Sequence, residues 1–224
     1  MNTPLAPQGR TEHTRLSDAV YETLLEAIIS GKLAPGSIVS EVSLAKQLNV
    51  SRTPVHDGMR QLAKDGLVEQ RPGRRAMITT FSKDDVFDIF EMRKLLEAEA
   101  VRRAATRIER ATIARLRETG EELKTNPDNI DYLTRWADFD EEFHEAIAKA
   151  SGSMRLWQDI VRYRLLHRGF NKLTTTIEVL QKALVQHFQI LDALERRDAE
   201  SSSRLIVEHI QEWQAYFVGH FPRK

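Results

Sequence analysis

Four side chains in the C-terminal half of this chain have the types and spacing of a metal site. Asp140 and His144 stand four residues apart, one turn of a helix, so both can turn toward a single ion. His187 and His209 are 22 residues apart, and their midpoint, residue 198, falls in the polar turn Arg197-Asp198. In an antiparallel helical hairpin, residues equally far from the turn lie level with each other. Each histidine is 11 residues from that turn, or roughly 16 Å along its helix. Both sit on apolar stripes: Leu180, Leu184, His187, Leu191 and Leu194 on one segment, Ile206, His209, Ile210, Trp213 and Phe217 on the other. A lone histidine on such a stripe is ordinarily a hydrogen-bonded core residue. Two levelled histidines together with Asp-x3-His favour an ion held inside a bundle. Three imidazoles and a carboxylate suit one divalent transition metal per chain, zinc first, with nickel, cobalt or manganese fitting the same ligands. His220 shares nearly the face of His209 but lies three turns away, too far to join. His167 either lines the cavity or is an ordinary surface or core residue, and His13 belongs to the N-terminal tail.

A second stretch carries a different chemistry. Ser51 is a favoured helix N-cap, and Pro54 falls in the first turn, where its missing N–H is not needed. Val55, Met59, Leu62 and Ala63 form an apolar stripe, while Arg52, His56, Arg60 and Lys64 share the other side. After Gly66, two strand-like runs, Leu67–Gln70 and Ala76–Thr80, flank the turn Arg71-Pro72-Gly73. A helix with one buried and one cationic face, followed by an arginine-tipped hairpin, suits major-groove reading with backbone clamping. Ser51, Arg52, Thr53, His56 and Arg60 are the candidate contacts on the helix, and Arg71, Arg74 and Arg75 those on the hairpin.

These side chains need elements to position them. Residues 1–14 hold two prolines and few apolar groups and read as a flexible tail. A helix is expected from about Ser17 to Ser30, then a short helix from Ser40 to Asn49, then the cationic helix and hairpin. From Ser82-Lys83-Asp84-Asp85, a capping-box-like start, a long helix runs to about Ile108. Further helices are expected at about 110–124, 129–150, 154–170, 175–196 and 199–219. The class is mainly α: an N-terminal winged helix-turn-helix over 15–80, then over 81–224 an all-helical antiparallel bundle of about six helices.

Composition excludes several alternatives. No apolar run approaches the length that spans a bilayer, the N-terminus lacks a signal-peptide pattern, and there are no cysteines. A cytoplasmic protein without disulfides, thiolate chemistry or membrane attachment is the expectation. The net charge of zero hides an uneven distribution: residues 51–76 carry 6 basic against 3 acidic groups. That excess agrees with phosphate contact without demanding it.

The segment Ser51, Arg52, Thr53, Pro54, Val55, Arg60, Leu62, Gly66, Leu67 and Val68 resembles the winged helix-turn-helix of GntR-family transcription regulators. It departs from the family pattern at His56-Asp57-Gly58-Met59, where His56 replaces an arginine that commonly contacts DNA. Histidine is shorter and only partly charged near neutrality. An operator differing at the corresponding base pair, or binding that strengthens as pH falls, is the expected consequence. Asp140, His144, His187 and His209 match the metal signature of the FCD domain found in the FadR-type subfamily, and Arg93 and Glu97 match another of its stretches.

The resemblance implies a ligand-responsive regulator, foremost a repressor, acting as a homodimer on pseudo-palindromic double-stranded operator DNA. It implies a small organic-acid effector beside the metal, which changes how two winged domains are held. Arg93 leads as the group that would hold the acid's carboxylate, with Arg162 and Arg164 behind it. Two other classes stay open. Glu141-x-x-His144 resembles half of a di-iron site and would suit a helical metalloenzyme, but a second copy is missing from the sequence. A regulator whose metal is purely structural is the other.

Overall fold

The structure is a computed structural model, and it describes residues 12–70, 75–170 and 176–220. The described residues divide into two compact units, the first made of the residues up to Phe81 together with 168–170.

In the first unit, α1 (Glu12–Ile29), α2 (Glu41–Leu48) and α3 (Arg52–Lys64) pack with a small sheet of β1 (Ile38–Val39), β2 (Val68–Glu69) and β3 (Ala76–Ile78). Helix α1 starts earlier than its sequence pattern suggests, so part of the expected tail, including His13, is helical. Residues 1–11 lie outside the described residues. Val20, Leu24 and Ile28 of α1 are buried with Val55, Met59 and Leu62 of α3. Gly58 permits the close approach of the two helices. A Cβ there would lie 3.2 Å from the backbone nitrogen of Tyr21 and 3.2 Å from a methyl of Val20. Tyr21 Oη also donates to Asp65 Oδ2 at 2.9 Å, tying α1 to the C-cap of α3. Asn49 ends α2 in the left-handed conformation with φ 54°.

The sheet order is β1-β3-β2, antiparallel throughout, with Ile38 opposite Met77 and Val68 opposite Ile78. Strands β2 and β3 are the expected wing. Strand β1 was not expected: two residues are too short to show a period-2 pattern, and its partner lies far along the chain.

In the second unit, α4 (Lys83–Ala104), α5 (Arg110–Thr125), α6 (Tyr132–Ala150), α7 (Met154–Phe170), α8 (Ile177–Glu195) and α9 (Ala199–His220) form a helical bundle. The capping box at its start is complete: Ser82 Oγ accepts from the Asp85 N–H at 3.1 Å, and Asp85 Oδ2 accepts from the Ser82 N–H at 2.7 Å. Helix α4 packs on α6 and α9, α5 on α6 and α8, and α8 on α9. Ile160 of α7 meets Ala100 and Ala148 in a buried cluster.

The α8–α9 hairpin turns where its sequence placed the turn. Arg197 there has φ 59°, an uncommon left-handed conformation for a non-glycine residue. Its guanidinium donates to the carbonyls of Ala105 at 3.1 Å and Ile108 at 2.7 Å, which fixes the hairpin against the end of α4. The apolar stripe of α4 is unusual because Arg93 and Glu97 lie within it, 2% and 3% exposed. Two charges in a core require partners, and those partners lead to the site.

Candidate metal centre and cationic helix

Asp140 and His144 project one turn apart from α6, His187 from α8 and His209 from α9. Each offers one ligand atom, and the four atoms lie within 4.8 Å of one another. The levelled-hairpin geometry holds: the rings of His187 and His209 have centroids 4.6 Å apart. The His144 ring stands 5.6 Å from that of His187 and 5.4 Å from that of His209.

The cluster is built to present bare nitrogens. His144 Nδ1 makes a short hydrogen bond to Glu97 Oε2. A carboxylate only accepts, so Nδ1 carries a proton, and in the neutral ring Nε2 then presents its lone pair. His209 is held in the same sense: its Nδ1 lies 2.9 Å from Gln186 Oε1, another acceptor. His144 Nε2 and both nitrogens of His187 are buried without a hydrogen-bond partner. His187 Nε2 lies 3.4 Å from Asp140 Oδ1, close but outside hydrogen-bond geometry. Each orphaned buried polar atom costs on the order of 1–3 kcal/mol, a cost that a ligand removes. The residues therefore fit a metal ion.

Charge around the cluster is arranged to match. Burial pushes the Asp140 carboxyl up, but Arg164, with His144 and His187, outweighs it and holds Asp140 well below the carboxylate range. Burial likewise opposes ionisation of Glu97, and Arg93 and His144 overcome it. Burial drives His187 down to about 3 against the attraction of Asp140. His209 is lowered well below the usual range by burial and then by its imidazole neighbours. Ionised carboxylate and neutral imidazoles are the protonation states that bind metals.

Sequence reasoning picked out the four side chains that cluster; it named Glu97 only as part of a family stretch and did not single out Gln186. Glu97 is on another helix, and Gln186 neighbours His187 without any sequence signal of its role. Arg164 is buried against the cluster. Its Nη2 donates to Asp140 Oδ2 at 2.8 Å and to Glu141 Oε2 at 3.0 Å, while its buried Nη1 has no hydrogen-bond partner. Arg93, the leading effector candidate from sequence, spends Nε on Glu97 at 2.8 Å and Nη1 on His167 Nδ1 at 3.2 Å. Arg162 is exposed. Two residues from Arg164 is about 200° around a helix, so the two face apart. His167 is wedged between Phe90 and Phe217, with ring centroids 5.0 and 4.8 Å away. His220 bonds the Tyr216 carbonyl at 2.7 Å and is not among the clustered ligands. The Glu141 of Glu-x-x-His is engaged by Arg164 and is not in the cluster.

On α3, Ser51, Arg52, Thr53, His56, Arg60 and Lys64 are exposed, opposite the buried Val55, Met59 and Leu62. Ser51 occupies the N-cap without a side-chain cap hydrogen bond, leaving its hydroxyl for other partners. Arg75 is exposed beside β3. Arg71 and Arg74 lie outside the described residues. His56 Nδ1 is 3.0 Å from Glu41 Oε1 at the start of α2.

Comparison with known proteins agrees with this division. Residues 16–78 match the bacterial regulatory proteins of the gntR family, and residues 88–212 match the FCD domain. The chain is 25% identical over 202 residues to the HTH-type transcriptional repressor RspR of Escherichia coli K12, covering 88% of this chain and 86% of that one. An uncharacterised HTH-type regulator of Agrobacterium vitis, from the TAR-I ttuE-ttuC' intergenic region, is 34% identical over 148 residues, covering 65% of this chain and 85% of that one. A probable D-xylose utilization operon repressor of Paenarthrobacter nicotinovorans is 26% identical, covering 92% and 90%. The solved structure of E. coli McbR/YncC shares the fold with a TM-score of 0.77 at 23% identity, covering 92% and 99%. Among the described residues no helix is long and apolar enough to cross a membrane. The chain belongs to the GntR family of bacterial transcriptional regulators and carries an FCD domain.

Proposed function

We propose that this GntR-family regulator is a repressor whose grip on operator DNA is set by a small carboxylate effector bound beside one divalent transition metal. Asp140, His144, His187 and His209 would hold the ion. When bound, it supplies a positive Lewis-acid centre for an oxygen donor. Glu97 and Gln186 orient His144 and His209, and Arg164 orients Asp140.

The observation that carries the reading is the convergence of unpartnered buried donors and acceptors. His144 Nε2, both nitrogens of His187 and Nη1 of Arg164 are all buried without hydrogen-bond partners. Lone pairs facing one another call for a cation. A bare guanidinium N–H close by calls for an anion. A carboxylate satisfies both demands together, and Arg164 replaces Arg93 as the favoured effector-binding arginine.

On the DNA side, Arg52, Thr53, His56 and Arg60 would enter the major groove while Ser51 and Arg75, with Arg71 and Arg74, hold the backbone. Two half-sites require two such helices, hence a homodimer. The effector changes DNA affinity only to the extent that it binds the two arrangements differently.

The test is operator binding by the metal-loaded full chain in a panel of two- to six-carbon mono- and dicarboxylates. At least one acid is expected to shift DNA affinity on the order of 5- to 150-fold, with the response weakened in Arg164→Lys, which keeps a cation beside Asp140 but lacks the guanidinium fork. If no acid acts and chelation simply unfolds the helical unit, the metal is structural and the effector reading fails.

A further inference from the structure

The cationic stripe of α3 contains one group that is not a cation by construction. Arg52, Arg60 and Lys64 can only donate hydrogen bonds. His56, one turn from each arginine, can donate or accept depending on which ring nitrogen holds its proton. Glu41 decides. Its Oε1 lies 3.0 Å from His56 Nδ1, and the two side chains are 25% and 50% exposed respectively. An ionised carboxylate has no proton to give, so the contact requires a proton on Nδ1. In neutral imidazole the other nitrogen, Nε2, is then bare and is an acceptor.

We infer that Glu41 is a specificity-determining residue that acts through His56. It locks the tautomer so that the stripe offers the major groove one acceptor among donors. This rests on the reading of α3 as the helix that enters the groove. The major-groove donors are the amino groups of adenine N6 and cytosine N4, whereas guanine and thymine present only acceptors along that edge. A bare Nε2 therefore selects an amino base, A or C, over a keto base, G or T, on the strand it faces. Arginine at this place, which only donates, would instead favour guanine with its two acceptors. Glu41 touches no DNA in this scheme. It adds selectivity from the first turn of α2 by fixing a ring on α3.

Selection of full-length protein on a randomised duplex library, with wild type, His56→Ala, Glu41→Ala and Glu41→Gln in parallel, tests this. The base pair read by His56 is the one whose preference His56→Ala abolishes. In wild type that position is expected to favour A or C over G or T by about five- to tenfold, the lower end for a base contact. Both Glu41 variants are expected to flatten that preference below about twofold while the remaining positions persist. Glu41→Gln keeps the length of the side chain, and its amide can donate or accept, so its effect isolates the tautomer lock from helix stability. A wild-type preference for guanine or thymine there overturns the proposal. So does an unchanged preference in both Glu41 variants, or a His56→Ala selection identical to wild type. Absence of any sequence preference in wild type would instead remove the operator-binding reading on which the proposal stands.

Discussion

Arg164, buried, and Asp140, largely so, form an ion pair at 2.8 Å that commits one carboxylate oxygen of Asp140 and leaves the other facing His187 at 3.4 Å. The pair connects the two halves of the proposed site, because Asp140 belongs to the cluster of candidate ligands and Arg164 has a further N–H to offer. It also explains how a charged cluster survives in an apolar bundle: every carboxylate in it has a cationic or imidazole neighbour.

Removing Arg164 is expected to be severe. Arg164→Met leaves Asp140 buried without its cation, and breaking a buried pair from one side costs about 3–5 kcal/mol. Thermal or denaturant unfolding checks the stability term. Isothermal titration with zinc checks whether the loosened Asp140 also weakens metal binding.

Glu97→Gln is expected to lower metal affinity about 10- to 100-fold, since a neutral amide accepts from His144 Nδ1 more weakly than a carboxylate and can turn its NH2 toward it instead; it also leaves buried Arg93 without its anion, so circular dichroism is followed alongside. Competition against a coloured chelator reads this directly. An unchanged affinity would mean that the Glu97–His144 bond serves packing alone.

In the winged unit, Tyr21→Phe deletes the bond to Asp65 and is expected to cost about 1 kcal/mol. Burial, and then the Asp65 charge, raise the Tyr21 phenol above its ordinary value. A raised pKa gives stability that is complete below the unfolded value, near 10, and declines as pH rises beyond it. The difference between wild type and Tyr21→Phe should therefore be constant at neutral pH and shrink in alkali, as unfolding curves at several pH values would reveal.

Ser82→Ala removes the capping box of α4, at a cost of about 1 kcal/mol. Hydrogen bonds from Ser82 lower the Asp85 carboxyl below its ordinary value. The bond from Ser82 Oγ to the Asp85 carboxylate therefore contributes above the ordinary carboxylate range and is lost as pH falls through it, while the bond that Ser82 Oγ accepts from the Asp85 N–H does not titrate. The gap between wild type and variant in thermal unfolding should narrow in acid without closing.

The parts of this molecule that repeat within one helix or one hairpin were legible in its sequence. Asp140 and His144 share a helix face, and His187 and His209 are levelled by a turn only a few residues wide, so spacing alone brought them together. The wing, the Ser82 cap and the buried stripe of α3 are equally local. What spacing does not carry is contact between distant segments. Glu97 is 47 residues from His144, and β1 gains its strand character only from β3. The family resemblance puts Arg93 ahead of Arg162 and Arg164, and spacing offers nothing further to tell the three helical arginines apart. Their roles separate only once packing buries Arg93 and Arg164, spends Arg93 on Glu97 and His167, and turns Arg162 to solvent.

The central claim, a metal held by four named side chains, is tested most directly by elemental analysis of the full-length protein. The protein would be purified without added metal and again after equilibration with zinc, beside His187→Ala and His209→Ala. The account predicts about one divalent ion per wild-type chain and a large loss in both variants, with folding followed by circular dichroism. A wild-type chain that stays folded and retains no zinc, nickel, cobalt or manganese after equilibration would contradict it.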